Sequence, residues 1–149
     1  SSIRVNPRCY KCEVTSYCLI AQYEEPGDFT YAKVTDIELE LAEEELNLSL
    51  PAEYVEFLKT YGHGGICGCC TDGIGLDGSY IFVENTLEYR SEDLPDNYIV
   101  IEKADEWLYC IDANTGKVIS WDMGGFIKEE YDSFDEYLLD RMNDAIENM

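Results

Sequence analysis

Apolar residues are spaced most regularly between residues 50 and 65, in the sequence LPAEYVEFLKTYGHGG. The large apolar side chains recur there at i, i+3, i+4 and i+7: Tyr54, Phe57, Leu58 and Tyr61. This period places all four on one face of a helix. Pro51 suits the first helical position, because its φ is already helical and its missing N–H is not needed there. Gly62 suits the left-handed residue that ends a helix. The pattern predicts a helix whose aromatic face packs at the centre of the core.

Two further helices are indicated by capping boxes, in which Ser or Thr is followed three residues later by Glu. Thr35 and Glu38 begin a helix whose apolar stripe is formed by Leu39, Ala42 and Leu46, and Asn47 is suited to end it. The run Glu43 to Glu45 is typical of a solvated helix face. Ser133 and Glu136 begin the last helix, whose predicted inner side consists of Phe134, Tyr137, Leu138, Met142 and Ala145.

Between these helices the pattern becomes extended. Residues 66–74 are predicted to be extended, and Ser79 is predicted to cap a short helix with Tyr80, Val83, Leu87 and Arg90 on its inner face. Short apolar runs then predict strands over residues 98–102, 107–112, 117–121 and 126–131, with 113–116 as a hairpin loop. Helices before and after an antiparallel meander define an α+β fold.

The chain has 149 residues, a length that fits one domain with a sizeable core. We predict that residues 35–149 form this domain. Residues 1–34 are predicted to be an N-terminal extension packed on it, with a helix over residues 8–23 from the spacing of Tyr10, Val14, Tyr17, Cys18 and Ala21.

Charge restricts the possible partners. The sequence has 32 acidic and 10 basic residues, a net charge of −22. Such a field repels nucleic acid and anionic membrane surfaces, and it speeds the encounter with basic proteins. We therefore expect a basic protein partner, with no nucleic acid and no membrane. The alternative is that the acidity serves only solubility.

Seven cysteines raise the question of disulfides and metal. The number is odd and the chain is too long to need disulfides, which favours reduced thiols in the cytoplasm. Cys9 and Cys12 have the spacing of a zinc pair, and Cys67, Cys69 and Cys70 could supply further ligands, but the second cluster lacks the usual spacing. We expect no cofactor, less than stoichiometric zinc, and a fold that survives a chelator.

His63 is the only histidine, and it lies shortly before Cys67, Cys69 and Cys70. A Cys–His pair can form a nucleophile, but the sequence shows no third group to orient the base. The surrounding negative charge also raises the pKa of a thiol and weakens it as a nucleophile. We therefore expect that the protein is not an enzyme.

Several of these segments together resemble the SMI1/KNR4 family, the first branch of the SUKH superfamily. The resemblance covers about residues 35–141. It is carried by TDIELELAEEELNLSLPAEYVEFLKTYGHGG, then DLPDNYIVI, WLYCIDANTGKVISWD and YDSFDEYLLD in that order. The most specific motifs are residues 50–65 and the pair Trp121-Asp122. The cysteine clusters are not part of the family pattern.

The resemblance implies a binding module with a meander sheet covered by helices. Bacterial members are similar to immunity proteins, which block a cognate toxin domain, often a nuclease, in the cytoplasm of the producing cell. Fungal members act instead as scaffolds, and this alternative stays open. The candidate partner-binding residues are the loop acids and the residues at the strand end: Asp72, Asp77, Asp105, Trp121 and Asp122. Trp121 could equally be a core residue, with Asp122 capping the adjacent turn.

Overall fold

The computed structural model describes residues 15–104, 106–122 and 127–148. Its helices are α1 (Ser16–Tyr23), α2 (Asp36–Leu46), α3 (Ala52–Thr60), α4 (Ile81–Arg90) and α5 (Phe134–Glu147). Its strands are β1 (Tyr98–Lys103), β2 (Leu108–Asp112), β3 (Val118–Trp121) and β4 (Ile127–Tyr131). Helices precede and follow the strands, so the predicted α+β class is confirmed. In this part of the chain no helix has both the length and the apolar character needed to cross a membrane.

The strands form one antiparallel sheet in the order β1-β2-β3-β4. Each strand therefore pairs with its neighbour in sequence, as the short predicted connections require. The β2–β3 hairpin pairs Ile111 with Val118, and Gly116 takes a positive φ of 79° in the turn between them. The predicted meander is confirmed.

Helix α3 occupies the centre of the core, as its apolar spacing predicts. Tyr54, Phe57 and Leu58 are fully buried, and Tyr61 is 8% exposed. Pro51 is the residue before the helix, one position earlier than predicted, and its φ of −61° leads directly into the first turn. Gly62 has a φ of 80°, which is the left-handed conformation predicted after the helix end.

Side chains alternate between two apolar layers along the sheet. Ile99, Tyr109 and Val118 face the helices and belong to the main core. The opposite face carries a second, smaller core formed by Leu94, Val100, Leu108, Cys110, Ile119 and Trp121, with Tyr89 and Tyr98 packed against it. This layer is covered by the end of α4 and the segment that follows it, so helices alone do not cover the sheet.

The N-terminal helix is shorter than predicted. It begins at Ser16, because Thr15 is extended and its side chain accepts a hydrogen bond from the Cys18 N–H. The rest of the predicted helix, residues 8–14, lies outside the described residues. The Ser16 hydroxyl donates to Asp135 at 2.5 Å, which joins α1 to α5.

The segment predicted to be extended over residues 66–74 begins with a turn over residues 66–68, and β-bridges form only at Thr71 and Ile74. Gly64 and Thr71 exchange two backbone hydrogen bonds, at 3.0 and 2.9 Å, and Cys69 N–H donates to the Ile66 carbonyl. The chain thus forms a short two-stranded ribbon closed by a turn. A Cβ on Gly64 would lie 2.0 Å from the Asp28 carbonyl oxygen, so this close approach requires glycine.

The inner face of α4 also differs from the prediction. Tyr80, not Ser79, is the residue before the helix, and the buried residues are Phe82, Val83 and Thr86. Leu87 is 39% exposed. Thr86 can be buried because its hydroxyl donates to the Phe82 carbonyl and accepts from the Val100 N–H of the edge strand β1. Apolar spacing cannot reveal a polar residue satisfied in this way.

A polar network inside the fold joins β1 to α5. A β-bulge at Ile101 directs Glu102 towards the helices. The Glu102 carboxylate accepts hydrogen bonds from Arg141 Nε at 2.9 Å and Nη2 at 2.6 Å, and from the Tyr137 hydroxyl at 2.7 Å. The Arg141 guanidinium also lies over the Tyr109 ring, 4.9 Å from its centre. These bonds compensate the burial of the charge.

Candidate functional site

Helix α2 exposes apolar side chains on the face that points away from the core. Ile37 is 70% exposed and Leu41, one turn later, is 58% exposed. Glu40 and Glu44 lie on the same face at i+3 and i+7 from Ile37. The result is an apolar pair bordered by carboxylates.

A groove runs along the neighbouring side of this helix. It has a volume of about 220 Å³ and lies between α2 and the residue before α4; its lining residues are Glu38, Leu41, Ala42, Glu45 and Tyr80. Leu41 contributes to both the outward face and the groove. We call the six α2 residues Ile37, Glu38, Glu40, Leu41, Glu44 and Glu45 the acidic α2 face.

Hydrogen bonds at both ends hold α2 in place. The Thr35 hydroxyl oxygen accepts from the Glu38 N–H at 3.2 Å, which confirms the predicted cap. The Tyr80 hydroxyl donates to Glu38 at 2.5 Å, and Glu43 accepts from the Leu50 N–H at 2.6 Å. Asn47 ends the helix in the left-handed conformation, as predicted. Glu38 and Glu43 therefore support the fold, whereas Glu40, Glu44 and Glu45 are exposed.

The charge on α2 is one-sided. Six of its eleven residues are acidic and none is basic. Lys59 of α3 reaches its first turn and pairs with Asp36 at 2.6 Å. Both of these side chains are well exposed, so this pair contributes little stability. Among the described residues, no other basic side chain forms an ion pair with an α2 carboxylate.

Asp72 was expected to be an exposed loop acid, and this is wrong. It is buried, with 9% of its surface exposed, because the ribbon packs it against β1 and α4. Its N–H donates to the Ile101 carbonyl at 2.6 Å, and its carboxylate accepts from Asn85 at 2.9 Å. Burial raises the pKa of Asp72 to about 6, although the bond from Asn85 opposes the shift.

The other predicted site residues lie on different elements. Asp77 is exposed in the turn before α4, and hydrogen bonds from Ser79 lower the pKa of its carboxyl group. Trp121 is 4% exposed and belongs to the second core, as the alternative interpretation holds. Asp122 follows it and is half-buried. Asp105 lies outside the described residues. A partner-binding role for these residues stays a prediction.

Ile37 and Leu41 are absent from the predicted site residues, although the sequence contains a signal for them. The buried stripe of α2 is Leu39, Ala42 and Leu46. Ile37 and Leu41 fall outside this stripe, among acidic residues, where a solvated helix face would carry no large apolar side chains. Their position makes this face a candidate contact surface.

The ribbon brings the only histidine close to a thiol. His63 Nε2 lies 3.4 Å from Cys70 Sγ, while His63 Nδ1 accepts a hydrogen bond from the Gly73 N–H at 3.0 Å. The pKa of the Cys70 thiol is raised to about 11, although part of the residue is exposed. The main cause is the burial of its sulfur by surrounding protein atoms, and the second is the negative charge of the Asp72 carboxylate. Burial lowers the pKa of His63. The pair is therefore neutral near pH 7.

These features define a class of protein: an α+β domain in which an antiparallel meander packs against helices and one helix exposes an acidic face. The family model of SMI1-KNR4 cell-wall proteins (SUKH_5) matches residues 18–143. The chain belongs to this family, as its motif order indicated. The matching model is SUKH_5, and the assignment to the first branch stays a prediction.

A solved structure has the same architecture. The crystal structure of a protein from Pseudomonas syringae pv. tomato superposes with a TM-score of 0.69, covering 85% of this chain and 97% of that one. The two sequences are 21% identical, so the similarity establishes the fold.

Proposed function

We propose that this protein is an immunity-type binding module that captures a basic toxin domain on its acidic α2 face. The observation that carries the proposal is the apolar pair Ile37 and Leu41 within a helix that bears six carboxylates. Family membership supports a binding module. We place the protein in the cytoplasm of the cell that makes the toxin, where a nuclease domain is the partner that best fits the charge.

The negative charge is expected to raise the rate at which the protein associates with its partner. A nuclease domain is basic where it meets phosphates, and a partner of net charge −22 attracts that surface over a distance of about 10 Å at 0.1 M salt. Such steering raises the rate of association more than the intrinsic strength of the complex. Rapid capture is the property that protects a cell from a toxin it makes itself.

The apolar pair gives the proposed interface its strength. Binding energy is concentrated in a few side chains near the centre of an interface, where water is excluded. Charged residues around that centre exclude wrong partners and orient the right one. Ile37 and Leu41 supply such a centre, and Glu40, Glu44 and Glu45 surround it. The groove beside Tyr80 can receive a side chain from the partner.

In this proposal the chain performs no chemistry. A neutral Cys70 thiol is a weak nucleophile, because the thiolate is the reactive form. The toxin would be blocked by occupation of its basic surface alone.

Charge reversal on the acidic α2 face is the first prediction. We expect the double variant Glu40→Lys/Glu44→Lys to raise the Kd for the toxin by about tenfold or more. Each tenfold rise corresponds to a loss of about 1.4 kcal/mol in binding free energy. Most of the loss should lie in the association rate, and it should shrink as salt is raised. Surface plasmon resonance over a series of salt concentrations measures both.

A matched control separates the surface from the total charge. Glu92→Lys combined with Asp96→Lys changes the net charge by the same amount as the test variant. These two exposed residues follow the C-terminal end of α4, whereas Tyr80 and the groove lie at its N-terminal end. Leu41→Ala tests the apolar centre, with Ile127→Ala on β4 as its control, since Ile127 is 51% exposed. Equal losses for the test and control variants would show that the partner binds elsewhere.

Protection in cells is the second prediction. Cells that co-express this protein with the toxin domain encoded beside its gene should survive, and the variant Glu40→Lys/Glu44→Lys should protect less. Growth curves after toxin induction measure this. Death at the unprotected rate, for every toxin encoded nearby, would contradict the immunity function.

A scaffold function is the second candidate. It is favoured by the description of the matching family model, which refers to cell-wall proteins. A scaffold would bind a partner through the same acidic face but would give no protection in the co-expression assay.

A further inference from the structure

Three metal-binding side chains of different chemistry meet at the ribbon. One donor atom each of His63, Cys70 and Asp72 lies within 4.8 Å of the others. They come together because Gly64 and Thr71 pair, which places residue 63 opposite residue 72 and residue 70 beside them. This cluster is separate from the acidic α2 face, and a metal site here does not depend on the proposed function.

The backbone beneath the cluster is held by bonds from three directions. Ile74 N–H donates to the Gly62 carbonyl at 2.8 Å, and Asp72 N–H donates to Ile101 of β1. The hydroxyl of the fully buried Tyr54 donates to the Asp72 carbonyl. The ligand-bearing residues are thus positioned before any ion arrives, which lowers the cost of ordering them.

We propose that His63, Cys70 and Asp72 form an exchangeable site for one divalent transition-metal ion of the Zn²⁺ type, with water completing the coordination. A sulfur, a nitrogen and an oxygen donor suit Zn²⁺ or Co²⁺ better than Ca²⁺ or Mg²⁺, which take oxygen ligands. Three protein ligands and an open position are typical of accessible zinc sites.

The distances agree with this coordination. Zn–S and Zn–N bonds of about 2.3 and 2.1 Å at a tetrahedral angle separate the two donors by about 3.6 Å. The observed distance from Nε2 to Sγ is 3.4 Å. The Asp72 donor atom lies within 4.8 Å of the other two. A tetrahedral site would separate it from them by about 3.5 Å, so the Asp72 carboxylate must approach by up to about 1.3 Å to reach the same ion.

Metal binding must also move protons. The Gly73 N–H donates to His63 Nδ1, so in the metal-free ring the proton is on Nε2 and faces Cys70. When Nε2 and Sγ bind the ion, the thiol proton passes to solvent and the ring proton moves to Nδ1. Nδ1 then no longer accepts from Gly73, and that hydrogen bond opens. The lost bond weakens the site, which is why it is exchangeable and why a chelator would empty it without unfolding the domain.

A cobalt titration of the full chain, freed of any affinity tag, tests the site. We expect one Co²⁺ per chain, with visible bands of tetrahedral cobalt and a near-ultraviolet thiolate-to-cobalt band. Cys70→Ser should abolish the thiolate band, and His63→Gln and Asp72→Asn should weaken binding by about tenfold or more. Circular dichroism checks that each variant is folded.

The other cysteines provide the controls. Cys67→Ser, in the same turn, and Cys9→Ser/Cys12→Ser, in the N-terminal segment, should leave the cobalt spectrum unchanged. The inference is overturned if the wild-type chain gives no thiolate band, if the band survives Cys70→Ser, or if it disappears in Cys9→Ser/Cys12→Ser.

Nuclear magnetic resonance gives an independent readout. Adding Zn²⁺ to ¹⁵N-labelled protein should shift the Gly73 amide strongly, because its hydrogen bond to His63 opens. Shifts confined to the N-terminal residues, with Gly73 unmoved, would contradict the site.

Discussion

Replacing Phe57 with alanine is expected to lower the free energy of unfolding by about 3–5 kcal/mol, the usual cost for a fully buried phenylalanine. The Phe57 ring is 0% exposed. It lies 5.5 Å from the Phe134 ring and 5.8 Å from the Tyr61 ring, measured between ring centres. Alanine would leave a cavity bounded by these rigid rings, which cannot collapse to fill it. Urea denaturation followed by circular dichroism measures the change.

Two substitutions serve as controls for this prediction. Phe57→Leu keeps most of the buried volume and should cost less than the alanine change. Glu56→Ala, at the adjacent exposed position, should alter the free energy of unfolding by no more than about 0.5 kcal/mol. An unchanged unfolding midpoint for Phe57→Ala would show that α3 is not the centre of the core. The expected loss is a large share of the about 5–15 kcal/mol that stabilises a typical domain.

Elements with strong local signals can be predicted from the sequence. The apolar period of α3, the caps at Thr35 and Ser133, and the hairpin loop over residues 113–116 each act within a few residues. In such segments the local chemistry and the final packing favour the same structure. The predicted bounds of the four strands therefore agree with the observed bounds to within one residue.

The errors lie where distant residues decide the structure. One of the two hydrogen bonds that satisfy the buried Thr86 hydroxyl comes from Val100, fourteen residues away. Asp72 can be buried only because Asn85 and Ile101 meet it. A local sequence pattern does not reveal partners that are distant in the chain, so the sequence around Asp72 predicts an exposed acid.

The candidate site is partly predictable for the same reason. Net charge is a property of composition, and by itself it indicates a basic partner. The sequence does not show which of the acids surround an apolar centre, because this depends on which side of α2 packs against the core. That orientation exposes Ile37 and Leu41 and separates them from Leu39. The cluster of His63, Cys70 and Asp72 depends on ribbon pairing, in a region where the sequence pattern predicts a single extended segment.

Replacing Arg141 with methionine is expected to lower the free energy of unfolding by about 3–5 kcal/mol. The Glu102 side chain is 9% exposed and receives two of its hydrogen bonds from Arg141. Methionine keeps the apolar stem of the side chain but leaves the carboxylate with the Tyr137 hydroxyl and no opposite charge. The cost is that of a buried charge without compensation, and urea denaturation at neutral pH measures it.

A double-mutant cycle distinguishes this cost from lost packing. Glu102→Gln/Arg141→Met removes both charges, while the glutamine oxygen can still accept from Tyr137. We expect the double variant to be more stable than Arg141→Met alone, because removing a whole buried pair is often close to neutral. Asp144→Ala is the control, since this exposed carboxylate is 3.8 Å from Arg141 and should contribute little. A double variant no more stable than Arg141→Met would show that Arg141 acts by packing on Tyr109 and not by neutralising Glu102.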